Sequence, residues 1–119
     1  MQHSIKLTLS DQQLSLLKTE SAAIRQVVIE VVPLYADQIG YMLQGYHPRQ
    51  KASKVSLVND TLKLNSEGGI AFNISYVLEE FSACSAVDTE DTAKMPVTVV
   101  ADVENGILNL TGEYWPSLD

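Results

Sequence analysis

The feature that most restricts the fold is a stripe of apolar residues between positions 24 and 46. Its members recur every three or four residues: Ile24, Val28, Val31, Tyr35, Ile39, Met42 and Tyr46. This spacing places them on one face of an α-helix. Pro33 lies inside the stripe and predicts a kink there, because it removes a backbone donor and crowds the preceding turn. Gly45 and then Pro48 predict the end of the helix.

A strand over residues 26–32 is the alternative for part of this segment. Its letters VVIEVV are rich in β-branched residues, which favour strands. The stripe continues on both sides of Pro33, and this continuity favours the helix.

The N-terminal segment predicts a short strand followed by a short helix. In the letters SIKLTL, apolar residues alternate with polar ones, as expected of a half-buried strand. Ser10 and Gln13 have the spacing of a capping box, which predicts a helix over residues 11–19.

The second half of the chain is typical of antiparallel strands joined by short turns. Asn105-Gly106 is the strongest hairpin signal, because both residues tolerate positive φ. A two-residue loop there puts apolar residues on one face and mostly polar residues on the other. The predicted apolar pairs are Val103 with Leu108, Ala101 with Leu110, Val99 with Gly112, and Val97 with Tyr114.

Two turns upstream predict further hairpins with the same division of faces. A two-residue loop at Asn59-Asp60 and a three-residue loop at Glu67-Gly68-Gly69 would join three strands. The predicted pairs are Leu57 with Leu62, Val55 with Leu64, Leu64 with Phe72, and Leu62 with Ile74. The apolar parity of the third strand changes at Glu79-Glu80, which predicts a β-bulge there.

The predicted fold is therefore a single α+β domain over residues 1–119. N-terminal helices, the long one kinked at Pro33, pack on one face of a five-stranded antiparallel meander, and the N-terminal strand can extend an edge. This arrangement is similar to the cystatin-like one, an analogy of architecture that carries no function by itself. The inhibitory QxVxG loop of cystatins is absent, since the segment beginning at Gln26-Val27 ends in Glu30.

Charge and composition narrow the expected partners and compartment. The net charge is −7, and residues 60–119 hold eleven acidic and two basic residues. An acidic surface repels phosphate, so we expect no nucleic-acid binding. We expect the partner to be another protein or a second copy of the chain. The negative charge favours a basic protein. The lone cysteine and the lack of a long apolar run predict a cytoplasmic protein that does not enter a membrane.

Clustered polar residues do not form a recognisable metal or cofactor site. The segment AVDTEDTAK holds Asp88, Glu90 and Asp91, but it lacks the mid-loop glycine and ligand spacing of a calcium loop. We expect it to be a hydrated connection between strands. His3 and His47 are distant in sequence, and a single cysteine completes no zinc pattern. The expectation is no metal and no cofactor.

Two further groups are candidates for catalytic residues. Cys84 has small or acidic neighbours, which favour the unreactive thiol, so we interpret it as a small structural residue. Glu79 and Glu80 would point to opposite faces of a regular strand, and only a bulge would make them an acid–base pair.

Two functional hypotheses follow from these observations. The first is a non-enzymatic acidic binding protein, such as an inhibitor, an immunity-type protein or an accessory subunit, acting through protein–protein contact. The alternative is a small enzyme or ligand carrier with a pocket between the helix and the curved sheet. Tyrosines would line that pocket and Glu80 or His47 would act as a base: the candidates are Tyr35, Tyr46, Tyr76 and Tyr114.

The candidate interface lies at the last hairpin and the segment after it. Trp115 falls on the polar face, and tryptophan dominates the energetics of many interfaces. Val100, Ile107, Asp102 and Glu113 would extend this patch. In the alternative arrangement, the chain turns after Pro116 and Trp115 covers the sheet edge.

Overall fold

The computed structural model describes residues 1–65, 69–82 and 87–116, and it leaves the side chains of residues 21, 81, 82 and 87–89 undescribed. The helices are α1 (Asp11–Thr19), α2 (Ile24–Leu34) and α3 (Ala36–Gln44). The strands are β1 (Ser4–Thr8), β2 (Lys51–Leu57), β3 (Lys63–Leu64), β4 (Ile70–Ser82), β5 (Val87–Asp102) and β6 (Ile107–Thr111).

The predicted first strand and first helix are confirmed. The backbone N–H of Gln13 donates to Ser10 Oγ at 3.2 Å, and the N–H of Ser10 donates to Gln13 Oε1 at 2.9 Å. These two bonds form the capping box and satisfy donors that the first turn of a helix leaves free. The box ends β1 and begins α1 at the predicted residue.

The apolar stripe is helical except at Tyr35 and at Tyr46, which follows the end of α3, so the strand alternative over residues 26–32 is wrong. The long helix is not one kinked rod, however. It ends at Leu34 and restarts at Ala36, so the break lies at Tyr35, two residues after Pro33. The Tyr35 N–H donates to the carbonyls of both Val31 and Val32, at 3.3 and 3.2 Å. Proline weakens the α-helical ladder, and the turn after it tightens toward 3₁₀ geometry.

The helices pack on one face of a curled antiparallel sheet, which confirms the predicted α+β class. The strand order is β1-β6-β5-β4-β2, and β3 also pairs with β4. The N-terminal strand extends the sheet at the β6 edge, as expected. Among the described residues, no helix is long and apolar enough to cross a membrane.

The predicted hairpin between β2 and β3 is wrong. Both strands pair with β4 instead, with Leu57 opposite Ile74 and Leu64 opposite Ile70. They therefore follow each other along one edge of β4. A 3₁₀ turn, Asn59–Thr61, connects them where the hairpin loop was predicted.

Thr61 provides the physical reason for this connection. Its hydroxyl donates to the carbonyl of Val58 at 2.6 Å and accepts from the Asn73 N–H at 2.9 Å. These bonds close the 3₁₀ turn and attach it to β4. The chain thus leaves β4 after β2 and pairs with the same edge of β4 again in β3.

Both remaining hairpins have the predicted faces but a register shifted by two residues. In the last one, residues 103–106 form the turn, in place of a two-residue loop. Asp102 accepts hydrogen bonds from the backbone and side chain of Asn105, at 3.3 and 2.8 Å, and Gly106 has a φ of 67°. These contacts favour the wider turn. The observed pairs are Val99 with Leu110 and Ala101 with Leu108, and upstream Lys63 with Ala71 and Leu64 with Ile70.

The acidic segment after residue 86 is part of a strand, so its interpretation as a loop is wrong for residues 87–94. The β4–β5 ladder is continuous from Ile70 opposite Val99 to Ser82 opposite Val87. The predicted bulge at Glu79-Glu80 is therefore also wrong. Glu80 keeps the inward parity but is exposed. The backbone ladder is satisfied whatever the polarity of the side chains.

A bulge does occur, but in β2. The β2–β4 register shifts between Ser53 and Ser56, and Lys54 has a φ of 52°. Positive φ is uncommon for a residue with a β-carbon and is typical of such irregularities. The turn residues Glu67 and Gly68, and Cys84, lie outside the described residues.

Candidate functional site

The structure divides the predicted interface residues between two places. Ile107 lies opposite Asp102, and Val100 lies opposite Asn109, all near the turn of the last hairpin. Trp115 lies beyond the other end of β6. Its backbone N–H donates to the carbonyl of Met1 at 2.7 Å. A single patch containing all five residues is therefore not formed, and the role of each group in binding stays a prediction.

Trp115 packs partly against the core. Its ring makes edge contacts with the rings of Tyr46 and His47, with centroids 4.9 and 5.3 Å apart. Its indole N–H donates to Glu113 Oε1 at 2.6 Å. Trp115 and Glu113, the two predicted interface residues at this end, are therefore hydrogen-bonded to each other, and the indole is partly buried.

Tyr46 joins three segments of the chain at this end. Its hydroxyl donates to the carbonyl of Glu113 at 2.7 Å and accepts from the N–H of His3 at 2.9 Å. A β-carbon at Gly112 would lie 2.6 Å from the same hydroxyl, so a larger residue would displace it. The end of α3 is therefore tied to both chain termini.

His47 and Tyr76 form the most chemically distinctive pair. Nε2 of His47 lies 2.8 Å from the hydroxyl of Tyr76, and the imidazole tautomer decides which group donates. Burial lowers the pKa of His47 and therefore favours the neutral imidazole. Burial, and then the charges of Glu113 and Tyr46, raise the pKa of Tyr76. At neutral pH the pair is uncharged, which suits a buried hydrogen bond.

The four tyrosines proposed to line a pocket are not brought together. Tyr46 and Tyr76 are 4% and 1% exposed and belong to the core. Tyr35 donates its hydroxyl to the carbonyl of Thr8, at the opposite end of β1 from the contact between Tyr46 and His3. Tyr114 is 65% exposed. Their spacing along the elements therefore puts two in the core, one at the helix break and one in solvent.

The carboxylates of β4 and β5 surround one end of the sheet. Glu79 lies directly opposite Glu90, and Asp91 is exposed on the other face with Glu80. Lys54 Nζ approaches Glu90 Oε1 to 3.5 Å, an exposed ion pair. In the part of the chain that the structure describes, no group of three or more His, Cys, Asp or Glu side chains could hold a metal ion.

A second surface, on the helices, was missed by the sequence interpretation. Ile29, Leu34 and Tyr41 are large apolar residues exposed on α2 and α3. All three fall outside the apolar stripe. Large apolar residues at helix positions off the stripe were the sequence signal that could have predicted this surface. Tyr41 lines a groove between α3 and β2, and Ile29 lines a second groove between α2 and β2.

Comparison of the chain with models of known protein families, with curated proteins and with solved structures finds no match.

Proposed function

We propose that this chain is a non-enzymatic acidic binding protein that acts through contact with a protein partner. The observation that carries the proposal is the packed core between the helices and the central strands, because the grooves that remain lie at β2, on the edge of the sheet. Tyr46 and Tyr76, which would have lined a substrate pocket, are buried and hydrogen-bonded within the core. A packed interior of this kind supports a protein that binds its partner through its surface and not through an internal pocket.

The distribution of charge supports a basic partner. The chain carries a net charge of −7, and Glu79, Glu80, Glu90 and Asp91 lie toward one end of the β4–β5 ladder. They outnumber the two lysines beside them, Lys51 opposite Glu79 and Lys54 paired with Glu90. Carboxylates on two faces of one sheet end create a local negative potential, which speeds encounter with a basic surface. The single cysteine suits a reducing compartment, so we include the cytoplasm in this proposal.

The hydrogen bond between His47 and Tyr76 is the observation that favours the alternative, a small enzyme or ligand carrier. A partly buried neutral imidazole is a usual general base. Its Nε2 already contacts the Tyr76 hydroxyl, and that hydroxyl belongs to a side chain that is 1% exposed. The pair therefore serves better as a core contact than as a site open to substrate.

Affinity capture from native lysate of the source organism, followed by elution with rising salt, tests the proposal. The expected result is a stoichiometric basic protein that is released as salt screens the contact. The triple variant Glu79→Gln, Glu90→Gln and Asp91→Asn removes three of the carboxylates at the sheet end and should retain less partner.

A matched variant controls for net charge. Glu20, Glu30 and Glu104 are exposed and lie outside the β4–β5 end, so replacing all three by Gln removes the same charge elsewhere. This control should retain the partner as well as the unmodified protein does. Capture of no salt-sensitive partner, or equal loss in both variants, would refute a role for the acidic sheet end.

A further inference from the structure

One edge of strand β5 has no partner strand among the described residues over most of its length. On one side, β4 pairs with β5 continuously from Val87 to Val99. On the other side, β6 pairs with β5 only from Thr98 to Asp102. Residues 87–97 therefore have a strand neighbour on one side alone, and we call their other side the open edge of β5.

The chain after β6 does not run along this edge. Gly112 donates its N–H to the carbonyl of His3, and Trp115 donates its N–H to the carbonyl of Met1. A β-carbon on Gly112 would lie 3.2 Å from the sulfur of Met95, which is buried in the core. The segment after β6 therefore continues beside the N-terminal residues and over the core face of the sheet, and it diverges from β5.

The hydrogen bonds of Asn73 show which backbone groups point toward the open edge. Its N–H donates to Thr61 Oγ1 at 2.9 Å, and its carbonyl accepts from the Val58 N–H at 3.0 Å, both on the side of β4 remote from β5. Asn73 lies opposite Pro96, so this pair exchanges no ladder hydrogen bonds. The backbone of Pro96 therefore faces the open edge, the position in a sheet that tolerates a proline.

Glu90, Thr92 and Lys94 share the orientation of Pro96, because backbone direction alternates along a strand with a period of two. Their N–H and C=O groups point toward the open edge, and their exposed side chains lie on one face of the sheet. An unpaired strand edge of this kind is a template for a strand of another chain.

The side chains on the open edge have a self-complementary order. In an antiparallel pair of two such edges centred on Thr92, Glu90 of each strand lies opposite Lys94 of the other, and threonine lies opposite threonine. Opposite charges and threonine pairs both stabilise directly opposed positions in a sheet. Lys94 makes no ion pair with any carboxylate that the structure describes, so its charge is available for this contact.

The ion pair between Lys54 and Glu90 is compatible with that arrangement. Lys54 belongs to β2 and approaches Glu90 Oε1 to 3.5 Å from the β4 side of the sheet. Both side chains are mostly exposed, so the pair is weak. The open edge lies on the other side of Glu90, where a second lysine can approach the carboxylate without displacing Lys54.

We propose that a second copy of this chain pairs with the open edge of β5, in antiparallel orientation and about a two-fold axis at Thr92. The same edge is used by both copies, as a two-fold interface requires. The two sheets become one continuous sheet across the interface. Pro96 limits the new ladder at both ends, because proline donates no hydrogen bond.

The order of charges selects both the occupant and the register. Axes at Glu90, Asp91 or Lys94 would place like charges directly opposite each other. An axis at Ala93 would leave Glu90 and Lys94 without an opposite charge. An extended segment of another protein that carried one sign of charge would meet a like charge at Glu90 or at Lys94, whereas a second copy centred on Thr92 meets an opposite charge at both.

Sedimentation velocity of the purified protein at low salt, over a wide range of concentration, tests the proposal. The expected result is a monomer–dimer equilibrium. Glu90→Lys alone and Lys94→Glu alone should each raise the dimer dissociation constant by about tenfold or more, because each places like charges opposite each other at both ends of the contact.

Mixing the two charge variants restores the complementarity. In a mixed dimer, the lysine introduced at position 90 lies opposite the glutamate introduced at position 94, and the native Lys94 lies opposite the native Glu90. The mixture should therefore associate where each variant alone does not. Lys18→Glu and Glu104→Lys, exposed away from the open edge, are the matched controls and should leave association unchanged.

Two changes at the proposed axis test the backbone contact itself. Thr92→Pro removes an N–H that points away from β4, as at Pro96, so the protein should fold but should not dimerise. In a Cys84→Ser background, Thr92→Cys places two cysteines opposite each other at the axis, and mild oxidation should link them into a covalent dimer. Thr98→Cys is the matched control, because it is exposed on the same face but pairs with Thr111, and it should not link.

Four outcomes would overturn the inference. These are a monomer at every concentration, a dimer insensitive to both charge variants, a mixture that associates no better than its components, and equal linking of the two cysteine variants. Circular dichroism of each variant verifies that it is folded.

The dimer goes beyond the proposed function, since it is formed by the edge of β5 and needs no other protein. Because no basic partner is present in these measurements, their failure would leave the proposed function standing. Failure of partner capture would equally leave the dimer standing.

Discussion

Single residues at the end of α3 connect both chain termini to the core. The Tyr46 hydroxyl bridges the backbone of His3 and Glu113, and the Trp115 ring covers Tyr46 and His47. Aromatic edge contacts of this kind add to the free energy that area burial provides. We therefore expect residues after the last strand to contribute to stability.

Trp115→Ala should lower the free energy of unfolding by about 2–3 kcal/mol, somewhat less than for a fully buried tryptophan. The reason is loss of its ring contacts with Tyr46 and His47. Tyr114→Ala is the matched control, because that ring is mostly exposed, and it should cost less than about 0.5 kcal/mol. Urea denaturation measures both, and equal effects would show that the indole does not pack as described.

His47 should make stability depend on pH. Its pKa is lowered from 6.5 in the folded chain, so the unfolded chain binds a proton more readily. The associated stability is present above pH 6.5 and is lost as the pH falls through the folded pKa. His47→Gln removes the titrating group and keeps a polar partner near Tyr76, so its free energy of unfolding should fall less between neutral and mildly acidic pH.

Denaturation of both proteins across that pH range provides the measurement. His3, Glu113 and the other carboxylates are present in both, so their contribution cancels in the difference. A parallel decline in the two proteins would show that burial of His47 does not affect its protonation.

At the scale of elements, the faces of the strands are robust and their registers are not. The last hairpin pairs Val100 with Asn109, two residues away from the Thr111 partner predicted by a two-residue turn. A shift of two residues leaves every side chain on the same face, because side chains alternate with a period of two. Hydrophobic pattern therefore cannot distinguish the two registers, and turn contacts decide between them.

Paired cysteines test the register directly. In a Cys84→Ser background, Val100→Cys with Asn109→Cys places two cysteines directly opposite each other, within the range that a disulfide requires. Val100→Cys with Thr111→Cys places them on a diagonal, which is too long. Mild oxidation should close the first pair and not the second, as measured by a gel shift under non-reducing conditions. Preferential closure of the second pair would show that the hairpin has the two-residue turn.

At the scale of the molecule, the long β4–β5 ladder makes the chain elongated. Its extents are 56, 29 and 25 Å, and the radius of gyration is 15.8 Å. A compact chain of this length would have a radius of gyration of about 13.5 Å. The ladder therefore carries its carboxylates away from the helices, where a partner can reach them.

Small-angle X-ray scattering of the purified protein, extrapolated to infinite dilution, tests this shape. The expected radius of gyration is near 15.8 Å. A value near the compact figure would show that the end of β4 and β5 folds back against the helices in solution.

The sequence alone determined the features that depend on local periodicity and local chemistry. The capping box at Ser10, the helical stripe and the parity of the last hairpin all follow from neighbours a few residues apart, and the structure confirms them. It also determined the α+β class, since one apolar face of a sheet and one apolar face of a helix must cover each other.

Tertiary structure decided what depends on residues distant in sequence. Thr61 attaches β3 to the same edge of β4 as β2, and pairing with β4 makes a strand of the acidic segment that composition predicts to be a loop. The exposure of Tyr41 and the partial burial of Trp115 depend on where the helices end over the sheet. A backbone hydrogen bond accepts any side chain, so strand partners and sheet extent are set by the geometry of the whole chain and not by its local pattern.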